Sequence, residues 1–212
     1  MTPSFHVPED LLLAYSAGRT DEATALVVAT HLTLCPKCRA DNDALDAAAG
    51  AMLATAATEA VSDSVLESVM RKLDEPVPAE PVVEGVLPRP ILRYIPEAHR
   101  RELPWHHLMP GADELRLPLA RNGVPARLTR TRGGFVLPKH THAGSEMTLV
   151  LSGGFEDRGE HYARGDLSLC DPSVTHTIHF DRGDPCIALV VNDARLVPKG
   201  PFSNFVALFV DF

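Results

Sequence analysis

The sequence predicts an α + β chain of two domains, a small N-terminal helical bundle and a C-terminal all-β domain, and three observations carry that reading. Up to Leu73 apolar residues recur at helical spacing. Residues 74–90 hold five prolines with acidic residues between them. Beyond Ile91 the helical period gives way to short β-rich runs between Gly, Pro, Asn and Asp breaks. The predicted boundaries are 1–75 for the helical domain, 76–90 for a proline-rich linker and 91–212 for the β domain.

In order along the chain, residues 10–17 read as a short helix ended by Gly18. Residues 20–34 open Thr-Asp-Glu-Ala, with Thr20 as the expected cap and acids favouring the helix N-terminus. Residues 36–58 are long and alanine-rich, with Pro36 suited to a first helical position. Residues 62–73 form an amphipathic helix whose stripe is Val65, Leu66, Val69, Met70 and Leu73, with Arg71 and Lys72 at its end. That stripe either docks into a partner's groove or packs onto the other three helices. The prolines of the linker sustain neither a helix nor a central strand, so the segment is expected to be extended and to hold the two domains apart. Strands are predicted at 114–119, 126–132, 146–151, 166–169, 175–180, 186–191 and 206–209, a spacing that suits a sandwich or barrel.

Composition narrows the function. The 212 residues are 45% hydrophobic and 23% charged, ordinary for a globular protein, and the formal charge of −8 argues against a partner read through its phosphate backbone. Direct nucleic-acid binding is therefore not expected. The most apolar window, 44–61, is interrupted by Asp46 and Glu59, and residues 1–10 have neither a basic nor an apolar leader region; the expectation is a cytoplasmic chain with no membrane anchor. Four cysteines in this length do not make a disulfide framework.

Two of those cysteines belong to a ligand pattern. His6, His31, Cys35 and Cys38 follow His-x24-His-x3-Cys-x2-Cys, two nitrogens and two sulfurs, the set a tetrahedral structural zinc prefers. His31 and Cys35, four apart near a helix end, share one face; Cys38 comes from the first turn of the next helix, and His6 returns from the N-terminal arm. A Cys-x-x-Cys redox pair, or two buried thiols with unrelated histidines, is the alternative.

A second constellation lies in the β half. His140 and His142 stand two apart, so on an extended backbone both face the same side and can share an ion. From Gly134 to Gly153 the chain satisfies G-x5-H-x-H-x3-E-x6-G, with Glu146 at the acidic position, and so resembles the first motif of the cupin family. The second motif is looser: Gly165, Pro172 and His176 are kept, one extra residue separates glycine from proline, and Val174 replaces a glycine. The resemblance implies a β-barrel with His140, His142, Glu146 and His176 around a divalent metal, zinc in the first instance. His179 is set aside by parity, and His99, His106, His107 and His161 match no ligand spacing. Cys170 and Cys186 read as buried small hydrophobes, with a redox-sensing thiolate as the other reading.

A zinc pattern in a small helical domain followed by a cupin resembles the ChrR-type, zinc-binding anti-sigma family, over essentially the whole chain. The resemblance implies a regulator that binds one sigma factor of the extracytoplasmic-function group, 1:1, and releases it on oxidative stress, singlet oxygen or peroxide, sensed through the cupin; it implies no enzymatic activity. The residues agree: ten acidic against five basic residues through Leu73 make an acidic helical surface suited to a basic partner. The competing reading is a metal-dependent, dioxygenase-like cupin enzyme with a helical docking or dimerisation domain.

Overall fold

The computed structural model describes residues 2–76, 87–119 and 124–199. Four helices come first: α1 (Glu9–Ser16), α2 (Glu22–Leu34), α3 (Pro36–Ala54) and α4 (Asp63–Leu73). The cap of α2 is Asp21 and not Thr20; its carboxylate accepts from the backbone N–H of Ala23 and Thr24, both at 3.0 Å. Cys35 does not continue α2. It is an extended residue (φ −109°, ψ 104°) that ends α2 and caps α3, with Pro36 as the first residue of α3.

Most of the predicted linker, 77–86, and the predicted strand 206–209 lie outside the described residues. Where the chain is described again it forms α5 (Arg89–Leu92), whose Ile91 is fully buried. The expectation that the halves stand apart is not met. Leu26, Val27 and Val28 of α2 share one hydrophobic core with Ile91 and with Leu128, Leu149 and Leu189 of the β half. Burying the apolar α2 face against the strands removes apolar surface of both halves from water.

Eleven strands among the described residues form two antiparallel sheets. Strands β1 (His106–Met109), β2 (Ala112–Arg116), β3 (Ala126–Thr131), β5 (Glu146–Ser152), β8 (Leu167–Cys170) and β10 (Cys186–Asn192) make a sheet of order β1-β2-β3-β10-β5-β8. Strands β4 (Val136–His142), β6 (Gly154–Asp157), β7 (Glu160–Ala163), β9 (Thr175–Phe180) and β11 (Leu196–Pro198) make the other, of order β11-β4-β9-β6-β7. Among the described residues the predicted barrel thus takes the form of two sheets that do not close into one hydrogen-bonded ring. They enclose a mainly apolar cavity of about 90 Å³, lined by Met109, Leu137, Phe155, Ile178 and Val190 among others.

Glycine is required at two turns. Gly153 (φ 68°) separates β5 from β6, and a Cβ there would lie 2.9 Å from Cys186 Cα; at Gly165 (φ 92°) a Cβ would lie 2.6 Å from Pro3 Cγ. The second turn is where the N-terminal arm docks. Asp166 Oδ1 accepts from Ser4 N–H (2.6 Å) and Phe5 N–H (2.9 Å), Leu167 N–H donates to the Phe5 carbonyl (3.2 Å), and the Phe5 ring stacks on Tyr162 at 4.3 Å.

Candidate metal centres and partner surface

The docked arm brings His6 to the junction of α2 and α3. His6, His31, Cys35 and Cys38 each offer a ligand atom, all four atoms within 4.8 Å of one another. Cys35 Sγ is 3.4 Å from His6 Nδ1, against ~3.6 Å for a nitrogen and a sulfur on one tetrahedral zinc. His31 is fully buried and neither ring nitrogen has a hydrogen-bond partner, and burial lowers its pKa to about 4, so the ring is neutral with a lone pair to offer. Burial likewise raises Cys38 to about 11. Cys38 N–H points at Cys35 Sγ (3.5 Å), the kind of donor that steadies a thiolate on a metal. A buried imidazole with neither nitrogen hydrogen-bonded, packed beside two buried cysteines, lacks polar satisfaction, and a zinc would supply it. These residues fit that ion.

In the β half, His140 and His142 from β4 meet His176 from β9 because β4 pairs with β9 in the register His140↔His176. All three are at most 4% exposed and their ligand atoms lie within 4.8 Å of one another. His142 Nε2 and His176 Nε2 are 3.1 Å apart, against ~3.4 Å for two nitrogens on one tetrahedral ion. His140 Nδ1 donates to the Pro138 carbonyl at 2.8 Å, which leaves Nε2 as the bare lone pair, buried and without a partner. Burial lowers His140 to about 4 and lowers His142 as well. These histidines too fit a divalent ion. Glu146 is not in that group: it opens β5, its Oε2 lies 3.6 Å from His142 Nδ1, on the ring edge away from His176, and its Oε1 accepts from Thr148 Oγ1 at 3.3 Å.

Sequence reasoning missed two carboxylates. Asp157, at the end of β6, lies 2.9 Å from His176 Nδ1 through its Oδ2, and Asp166 holds the N-terminal arm. Both follow a β-turn pattern with glycine nearby, a weak signal, and their partners are distant in sequence. Cys170 and Cys186 are buried, and burial raises them to about 11 and about 12, so both are neutral thiols rather than reactive thiolates. His161 pairs with Asp181 at 3.0 Å on the surface.

The stripe on α4 does not pack onto the other helices. Val65, Leu66, Val69, Met70 and Leu73 are 48–72% exposed, and α4 has no buried residue. Among the described residues no helix is long and apolar enough to cross a membrane.

The family model described as the ChrR cupin-like domain matches residues 97–194. The chain is 40% identical over 200 residues to the anti-sigma-E factor ChrR of Cereibacter sphaeroides, covering 92% of each chain. It is also similar to a crystal structure of Rhodobacter sphaeroides SigE in complex with the anti-sigma ChrR, at 39% identity and a TM-score of 0.76, covering 91% of this chain and all of that one. A helical His/Cys centre, a three-histidine centre between two sheets and similarity along nearly the whole length agree, and the chain belongs to the ChrR family of anti-sigma factors.

Proposed function

We propose that this chain is an anti-sigma factor that sequesters a sigma factor of the extracytoplasmic-function group in the cytoplasm and releases it on oxidative stress. The whole-length similarity to a protein named as an anti-sigma factor carries the reading, and it favours a regulator over a cupin enzyme. Residues 1–75 form the output domain, its shape fixed by Zn²⁺ on His6, His31, Cys35 and Cys38. Residues 91–212 form the sensing domain, whose metal, taken as zinc, would be held by His140, His142 and His176; for Glu146 to serve as the carboxylate ligand, its side chain would have to swing from beside His142 Nδ1 toward that group. An ion held there would supply Lewis-acid polarisation of a bound oxidant, and the chain's part is to present three buried imidazoles to it.

The α4 stripe supplies the partner surface. Five large apolar side chains on one face of an eleven-residue helix, left exposed by the described residues, suit insertion into a groove of the sigma factor. The neutral, buried state of Cys170 and Cys186 supports the metal centre, and not a thiolate, as the point where the oxidant acts. Co-expression of the full chain with its cognate sigma factor tests the reading: a 1:1 complex that withholds the sigma factor from RNA polymerase is expected, and peroxide or singlet oxygen should dissociate it. A complex that never forms refutes the anti-sigma role; one that ignores oxidant, or a His140→Ala chain that still responds, refutes the sensing role.

A further inference from the structure

The turn between β6 and β7 places a buried carboxylate behind the histidine centre. Asp157 is 2% exposed; its Oδ2 lies 2.9 Å from His176 Nδ1 and 3.1 Å from Arg158 Nε, and its Oδ1 has no hydrogen-bond partner. The two central residues of that hairpin, Arg158 (φ 52°) and Gly159 (φ 84°), both have left-handed backbone, as a tight two-residue turn requires. Arg158 is the single non-glycine residue with positive φ among the described residues, and such a conformation persists only where its surroundings hold it. Here Arg158 reaches back to the carboxylate that the turn has placed.

His176 has a different neighbour at each ring nitrogen. Nε2 is 3.1 Å from His142 Nε2, inside the three-histidine group, while Nδ1 faces Asp157. A neutral imidazole offers a lone pair from one nitrogen only when the proton sits on the other. The Nδ1 proton lies off the line to Oδ2, so at 2.9 Å the pair is close but not an aligned hydrogen bond, as is common in centres without their ligand.

We infer that Asp157 is a positioning residue for the C-terminal metal centre, holding the proton of His176 on Nδ1 and so committing Nε2 to the ion. The inference rests on reading His140, His142 and His176 as a metal centre. His140 has the same device with a weaker acceptor, its Nδ1 donating to the Pro138 carbonyl at 2.8 Å. A carboxylate acceptor makes the stronger bond and a more basic ligand. The competing use of Asp157 is as a ligand itself, since its oxygen, Cys170 Sγ and a His176 nitrogen also lie within 4.8 Å of one another. Arg158 beside the carboxylate opposes a second cation there.

The test uses the full chain carrying Asp157→Ala, the near-isosteric Asp157→Asn, or Cys170→Ser. Zinc affinity of the C-terminal centre is read by chelator competition, and the His176 tautomer by nitrogen NMR of the metal-free protein. Asp157→Ala should weaken zinc about 10–100-fold, leave the N-terminal zinc in place, and turn His176 from an Nδ1–H ring into a mixture. Asp157→Asn, which keeps an acceptor oxygen, should fall between; Cys170→Ser should change neither readout. Wild-type zinc affinity and tautomer in both Asp157 variants would overturn the positioning role. Loss of a metal equivalent in Cys170→Ser, with loss of a thiolate-to-cobalt charge-transfer band in cobalt-loaded protein, would make Asp157 a ligand and overturn it too. A wild-type chain that takes up only the N-terminal zinc would instead overturn the metal-centre reading underneath.

Discussion

Replacing Asp166 with alanine should cost the N-terminal arm its seat and the zinc centre one ligand. The carboxylate is 4% exposed and accepts three backbone N–H groups: Ser4 (2.6 Å) and Phe5 (2.9 Å) on Oδ1, Ala163 (2.8 Å) on Oδ2. Hydrogen bonds to a charged group contribute ~1.5–3 kcal/mol each, but the arm can lift into water and recover two of them, forfeiting instead a Phe5–Tyr162 stack of ~0.5–1.5 kcal/mol. The net loss should be about 2–4.5 kcal/mol in urea unfolding of the zinc-loaded full chain, from the one bond not recovered and the lost stack. Asp166→Asn, keeping one acceptor oxygen, should lose about half of that. Because His6 is the next residue after Phe5, chelator competition should show weakened zinc binding in the same variants, though none of the four ligands is altered. An Asp166→Ala chain within ~0.5 kcal/mol of wild type and with unchanged zinc affinity would refute the arm's role.

Cys38→Ala should release the N-terminal zinc, a loss set against the ~10–16 kcal/mol of a structural site, and with it sigma-factor binding, as metal analysis and co-purification would show. Leu66→Asp with Val69→Asp changes only exposed side chains, so unfolding should move by less than ~1 kcal/mol while sigma affinity, read by calorimetry, falls at least ~10-fold. In the metal-free chain His31 and His140 have pKa values lowered to about 4 from an ordinary 6.5. The stability tied to them is complete above pH ~6.5 and lost as the pH falls toward 4, with about two protons taken up on unfolding; a flat urea midpoint over that window would contradict it. Cys170 and Cys186 should resist iodoacetamide at neutral pH in the folded chain and react once it is unfolded, as mass spectrometry of the labelled thiols would report.

What could be read from the sequence was what short-range spacing encodes. His31, Cys35 and Cys38 span eight residues and a helix junction, so their convergence follows from local geometry; His140 and His142 share a strand face by parity alone. Asp157 and Asp166 could not be read that way. Asp166 meets its partners across 161 and 162 residues of sequence, and Asp157 acts through a register set by β6 pairing with β9. Strands β1, β6, β7 and β11 have three or four residues each, too few for alternation to rise above chance. Thr20 and Asp21 are both good caps, and the choice turned on which side chain could reach two N–H groups. The prolines of 74–90 suggested separation, but the apolar faces on either side of them fix how the halves sit.

The halves of a two-part chain are often pictured as cassettes that evolution can reshuffle freely. The contact between Pro3 and the Gly165 turn makes these two a matched pair: a β half with any side chain at that glycine would drive a carbon to 2.6 Å from the proline ring, and α2 would meet strands it was not shaped to cover. Lineages carrying this architecture should therefore inherit both halves as one unit, and chimaeras between them should need compensating changes at Pro3 and on the α2 face before they fold.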